Sequence, residues 1–206
     1  MDMIFPNYIS SEVKKSVNEN LGKPDKLPKI LCHIAGPSGS GKTTLMEHLQ
    51  EKYTNFEYKD LDDFDDAAMK YVPKGVKELP RDVWSNECFN NMFDKKQDLL
   101  DSFVSKSKKP VVLVGIHNEW FRELRIPTPN RFLINIDAET AAIRAINRAK
   151  KGHGTHSNHD INVKNSYDMW NRRNQAQQDI LWLCKNGYIK KHISEIEQFL
   201  KEASEI

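Results

Sequence analysis

Apolar residues in this chain gather into short runs that alternate with segments of helical period. Ile30-Leu31-Cys32-His33-Ile34-Ala35 and Pro110-Val111-Val112-Leu113-Val114-Gly115-Ile116-His117 are nearly continuous, as strands buried on both faces of a parallel sheet are. Arg131 to Ile136 makes another such strand, Asn55 to Lys59 a shorter one, and Tyr188 to Ile193 a charged one suited to a sheet edge. Between the strands, Leu45 to Tyr53 reads as a helix. A longer helix opens at Arg81-Asp82 and carries Val83, Trp84, Cys88, Phe89, Met92, Phe93, Leu99, Leu100, Phe103 and Val104 at helical spacing. Asp137 is placed to cap the next helix. Ser166 to Lys185 predicts another, with Tyr167, Trp170, Ile180, Leu181 and Cys184 on its apolar side and Gly187 as its stop. Ser194 with Glu197 three residues on predicts a capping box for the last helix. Trp120 to Leu124 predicts a single helical turn. Strands alternating with helices define an α/β class: three α/β/α layers around a five-stranded parallel sheet.

The ends of the pattern set the domain organisation. Ile9, Val13, Val17 and Leu21 recur every four residues, so residues 1–28 read as a helical extension and a linker, and 29–206 as the domain. The polar, glycine-containing run beginning at Ala149 reads as a mobile lid over about 149–165. Its His153, His156 and His159 lack the cysteine partners or helical spacing of a metal site.

Composition narrows the class. With a mean hydropathy of −0.68 the core must sit in those few runs. A net charge of +2 argues against a strongly basic nucleic-acid-binding face. Cys32, Cys88 and Cys184 are widely spaced and read as reduced, buried residues of a cytoplasmic protein. No apolar run approaches the ~20 residues of a membrane span, and no secretory leader pattern is visible at the N-terminus.

The chemistry begins where the first strand ends. Gly36-Pro37-Ser38-Gly39-Ser40-Gly41-Lys42-Thr43-Thr44 satisfies G-x-x-x-x-G-K-[ST] between a strand and a helix, the context in which glycines let backbone N–H groups wrap a phosphate. Lys42 can place its ammonium on the β- and γ-phosphates, and Thr43 its hydroxyl on Mg²⁺. After the second strand, Asp60, Asp62, Asp63, Asp65 and Asp66 put five carboxylates into seven residues, a repulsion that a cation relieves. A position beside the phosphate-loop strand would turn Asp60, Asp62 and Asp63 towards the triphosphate. The third strand ends in Gly115-Ile116-His117 where a Walker-B acid is expected, so the acid cluster is the natural source of the magnesium carboxylate. Gly115 there would permit close approach of a ligand, with His117 and Glu119 on the same rim. Arg144 and Arg148, four apart, share a helix face.

Four features resemble the small P-loop kinases, the group of nucleoside monophosphate, deoxynucleoside, shikimate and gluconate kinases. They are the loop Gly36 to Thr44; Asp60-Leu61-Asp62-Asp63, similar to a D-x-D signature; Phe132 to Arg148, leading into a lid; and the final strand and helix. The resemblance implies a P-loop NTPase fold and transfer of the γ-phosphate of ATP, with Mg²⁺, to a small-molecule acceptor. It implies that Gly36 to Thr44 bind the nucleotide and that Thr43 and Asp60 hold the metal. Asp62, with Asp63 in reserve, would take the acceptor proton, while Lys42, Arg144 and Arg148 neutralise the moving phosphate. Arg81, Trp84, Gly115, His117 and Glu119 are the acceptor-pocket candidates. Two other readings stay open: a polynucleotide 5′-hydroxyl kinase, which the lid lysines leave room for, and a non-metabolic nucleotide-binding ATPase. No N-K-x-D specificity motif of a switch protein is present.

Overall fold

The computed structural model describes residues 28–79, 83–116, 118–119, 122–150 and 166–206. Within them the chain runs β1 (Ile30–Ala35), α1 (Lys42–Lys52), β2 (Glu57–Asp60), α2 (Asp62–Ala68), a 3₁₀ turn (Met69–Tyr71), α3 (Lys74–Lys77) and α4 (Asn86–Lys106). It continues through β3 (Val111–Val114), β4 (Asn118–Glu119), β5 (Arg122–Glu123), β6 (Arg131–Ile134), α5 (Ala138–Lys150), α6 (Ser166–Lys185), β7 (Ile189–Lys191) and α7 (Ile193–Ser204). Of the expected lid, Ala149 and Lys150 are the last residues of α5; the rest of it, His153, His156 and His159 included, and the expected N-terminal helix lie outside the described residues.

The five-stranded sheet has the order β2-β3-β1-β6-β7, and all its pairings are parallel. The apolar strands β1 and β3 take interior places and are wholly buried. β2 and β7, which carry the charges, are the edges, where unpaired backbone can meet water. Alternation along the strands builds two faces. Cys32, Ile34, Val112 and Val114 pack with Leu45 and Leu49 of α1 and with Ile196 and Leu200 of α7. Val111 and Leu113 pack with Phe93 and Leu100 of α4, and Leu133 packs with α5 and α6.

Several expectations change. β2 does not lie beside the phosphate-loop strand, because β3 is inserted between them. Asp60 pairs with Val114 and reaches the same rim from one strand further out. Residues 118–119 and 122–123 form an antiparallel pair in place of the helical turn. α4 begins at Asn86, not at Arg81, because the Ser85 hydroxyl accepts the Cys88 N–H at 3.2 Å and caps it there. The last helix starts two residues early: Glu195 accepts the His192 N–H at 2.8 Å, leaving Glu197 to pair with His48 and Lys52. On α6 the buried stripe is Ala176, Ile180 and Leu183, spaced by four and three, while Trp170, Leu181 and Cys184 are exposed. Of the three cysteines only Cys32 is fully buried. Asp137 does cap α5: its carboxylate accepts from the Thr140 N–H at 2.8 Å and the Thr140 hydroxyl at 2.7 Å.

Candidate active site

In parallel sheets the carboxyl ends of strands flank a crevice where the chain direction switches. Here that point lies between β1 and β3, with the glycine loop leaving one strand and Gly115 ending the other. The loop's shape follows from its glycines. Gly39 and Gly41 adopt φ of 84° and 92°, the left-handed region that side chains disfavour. A Cβ on Gly39 would also fall 2.1 Å from the Ala141 carbonyl oxygen, so the loop leans directly on the α5 backbone. A Cβ on Gly36 would meet the Ser40 hydroxyl at 2.6 Å, whereas Gly41 faces open space. The Ser40 Oγ is buried without a hydrogen-bond partner among the described residues. Lys42 donates from Nζ to the loop's own carbonyls, Gly36 at 2.6 Å and Pro37 at 3.1 Å. An orphaned hydroxyl, positive-φ glycines and an ammonium folded onto the loop fit a bound polyphosphate. Thr43 and Thr44 are exposed on the first turn of α1.

The acid cluster faces this loop, but not as one unit. Asp60 accepts the Asp62 N–H at 3.0 Å, tying the end of β2 to the first turn of α2. Asp62 opens to solvent, yet surrounding protein is the largest influence raising its pKa. Asp60 and Asp65 push the same way, while Lys42 and Lys96 oppose. Lys42 is lowered by burial, opposed by Asp62, Asp60 and Asp179, with Arg148 adding to the lowering. Lys42 and Asp62 thus feel one another across the crevice. Asp63 points the other way, its carboxylate 2.5 Å from Lys59 Nζ.

Arg148 reaches the loop, donating from Nη2 to the Ser38 hydroxyl at 3.1 Å, while Arg144, one turn earlier, stands exposed. Gly115 has φ 134°, and its absent Cβ would lie 3.0 Å from Leu61 Cβ and 3.4 Å from Asp60 Oδ1. The β2–α2 junction therefore approaches Gly115 closely. Trp84 is buried against Ala68, Val72 and Met92 and donates from Nε1 to Leu79 O at 3.1 Å. Arg81, His117 and the Glu119 side chain lie outside the described residues.

Three contributors escaped sequence reasoning. Asp179 on α6 accepts from Gln175 Nε2 at 2.9 Å. Burial raises its pKa, against that hydrogen bond and the charge of Lys42. His33, inside β1, is fully buried; its Nε2–H donates to Gly115 O at 3.0 Å, and its Nδ1 accepts from Tyr188 OH at 2.6 Å. Burial drives its pKa down to about 3, against the Gly115 hydrogen bond and helped by Arg131 and Lys42. Lys96 is buried at 1% exposure, its Nζ 2.5 Å from Asp65 Oδ1. All three had one sequence signal, a polar residue inside an apolar run or stripe.

A five-stranded parallel sheet with this loop between β1 and α1 is the P-loop NTPase fold. The AAA_18 family model, described as an AAA domain, matches residues 33–165, and the chain belongs to that family. Among solved structures, the chain is similar to shikimate kinase from Acinetobacter baumannii in complex with shikimate. The identity is 13%, with 84% of this chain and 90% of that one covered, at a TM-score of 0.43. No curated protein matches it. No helix among the described residues is long and apolar enough to cross a membrane.

Proposed function

We propose that the protein is an ATP- and Mg²⁺-dependent phosphotransferase acting on a hydroxyl or phosphate of a small molecule, a nucleoside, nucleotide or similar metabolite. The observation that carries this reading is the phosphate loop at the end of β1, its Lys42 Nζ on the Gly36 and Pro37 carbonyls, on the same sheet rim as Asp60, which ends β2 opposite Val114 and accepts the Asp62 N–H. Bound ATP supplies the γ-phosphoryl group, with Mg²⁺ neutralising its charge. Thr43 and Asp60 would hold the metal. Mg²⁺ takes one or two carboxylates and completes its shell with phosphate and water. The backbone N–H groups of Ser38 to Thr44 and the ammonium of Lys42 would hold the phosphates. Asp62 orients the acceptor hydroxyl and takes its proton, the role its upward shift suits. Arg148, already on the loop through Ser38, closes on the transferred group with Arg144 behind it. Arg81, Trp84, Gly115, His117 and Glu119 are the acceptor-pocket candidates, and Asp63 stands in reserve to Asp62. The protein works in the cytoplasm, residues 29–206 forming the catalytic domain and 149–165 its lid.

The test is a panel of hydroxyl and phosphate acceptors with ATP and Mg²⁺, scored for ADP release beside Lys42→Ala. Acceptor-dependent release lost in the variant supports the reading. Wild-type protein that binds ATP but turns over no acceptor on a broad panel overturns it in favour of a binding ATPase.

A further inference from the structure

Lys96 stands where the helical stripe of α4 calls for an apolar residue. It shares that stripe with Met92, Phe93 and Leu100, and it is as buried as they are. A lone ammonium in such a place is costly and persists only when paired. Its partner, Asp65 at 2.5 Å, is three residues beyond Asp62 on α2, so the two carboxylates share a helix face. The charge of Lys96 also acts on Asp62, opposing the repulsion from Asp60 and Asp65. One buried cation from α4 therefore acts on two carboxylates of α2, its partner Asp65 and the more exposed Asp62, on the short helix whose first turn is tied to Asp60.

We propose that Lys96 is a positioning residue for phosphoryl transfer: through its ion pair with Asp65 it fixes the rotation and depth of α2, and so the place of the Asp62 carboxylate opposite Lys42. The inference rests on the phosphotransferase reading. Its chemical content is geometric, because Lys96 touches neither nucleotide nor acceptor. Replacing the pair by apolar residues of similar size would keep or raise stability while freeing α2 to shift, and a displacement of about 1 Å in a reacting group costs up to about 100-fold in rate.

The test uses the full chain with the variants Lys96→Met, Lys96→Arg and Lys96→Met/Asp65→Asn. The double variant leaves no buried charge unpaired, so it folds even if Lys96→Met alone does not. Expected for the double variant is a kcat reduced by about 10- to 100-fold, an ATP KM within about threefold of wild type, and faster amide exchange at Asp62–Ala68, with Lys96→Arg within about threefold of wild type throughout. A folded double variant with wild-type kcat overturns the proposal and leaves the pair purely structural. If wild-type protein turns over no acceptor, the phosphotransferase reading has failed instead. The exchange measurement then decides alone: unchanged exchange at Asp62–Ala68 overturns the role of Lys96 in holding α2, and faster exchange upholds it.

Discussion

The two sides of the crevice are built in opposite ways. The phosphate side is nine consecutive residues between one strand and one helix, and its shape comes from local backbone: Gly39 and Gly41 in the left-handed region and Lys42 folded onto the carbonyls of Gly36 and Pro37. The acid side is assembled from β2, α2, α4 and the end of β3, and from α6 through Asp179. Its elements meet where Leu61 packs against Gly115 and where Lys96 pairs with Asp65. A contiguous site depends on few residues and tolerates change around it. An assembled site depends on packing several elements away. His33 joins the two, standing in the phosphate-loop strand and holding the carbonyl of Gly115 on the other side.

Substitutions can separate the sides. The largest effect is expected from Asp62→Asn, which should lower kcat by about 10²- to 10⁴-fold while ATP affinity, measured by calorimetry, stays near wild type; an undiminished kcat removes Asp62 as the base. Lys42→Ala should do the reverse on the other side, weakening ATP binding and costing about 10²- to 10³-fold in turnover. Equal ATP affinity in that variant would mean that the loop does not hold the triphosphate.

Smaller effects fall on stability. Gly39→Ala combines a positive φ with a clash against the Ala141 carbonyl, so urea unfolding should show a loss of about 2–4 kcal/mol. The strut between the sides should be read by pH. His33 titrates near 6.5 in the unfolded chain and about 3 in the fold, so below 6.5 the unfolded state binds a proton that the native state refuses. The contribution of His33 is full above pH 6.5 and is lost as pH falls towards 3, roughly 2 kcal/mol between 6.5 and 5. Urea titrations at several pH values should show that slope, and His33→Gln should flatten it. Least of all, Gly75→Ala on α3, where a methyl group meets open space, should raise stability by at most about 0.5 kcal/mol.

Legibility followed the same division. The loop, the strands β1, β3 and β6, the Asp137 cap and the α6 boundaries were readable because each depends on neighbours in sequence. Asp179, Lys96 and His33 were not read as site residues, although each broke an apolar pattern, because a polar residue in a buried stripe announces a partner without naming it. Asp62 and Asp63 look alike in sequence; the fold pairs Asp63 with Lys59, while Asp62 donates its N–H to Asp60. The capping box was misplaced because both Ser194/Glu197 and His192/Glu195 have its spacing, and Glu197 was claimed by His48 and Lys52.

By itself the sequence determined the phosphate loop, the α/β alternation and the carboxylate supply, since hydrophobic period and glycine conformation act over a few residues. The tertiary structure decided that β3 would separate β2 from β1. It also decided that Asp63 pairs with Lys59 and that Leu61 packs against Gly115. Those outcomes rest on strand order and on contacts between residues far apart in the chain, where burial and charge pairing act.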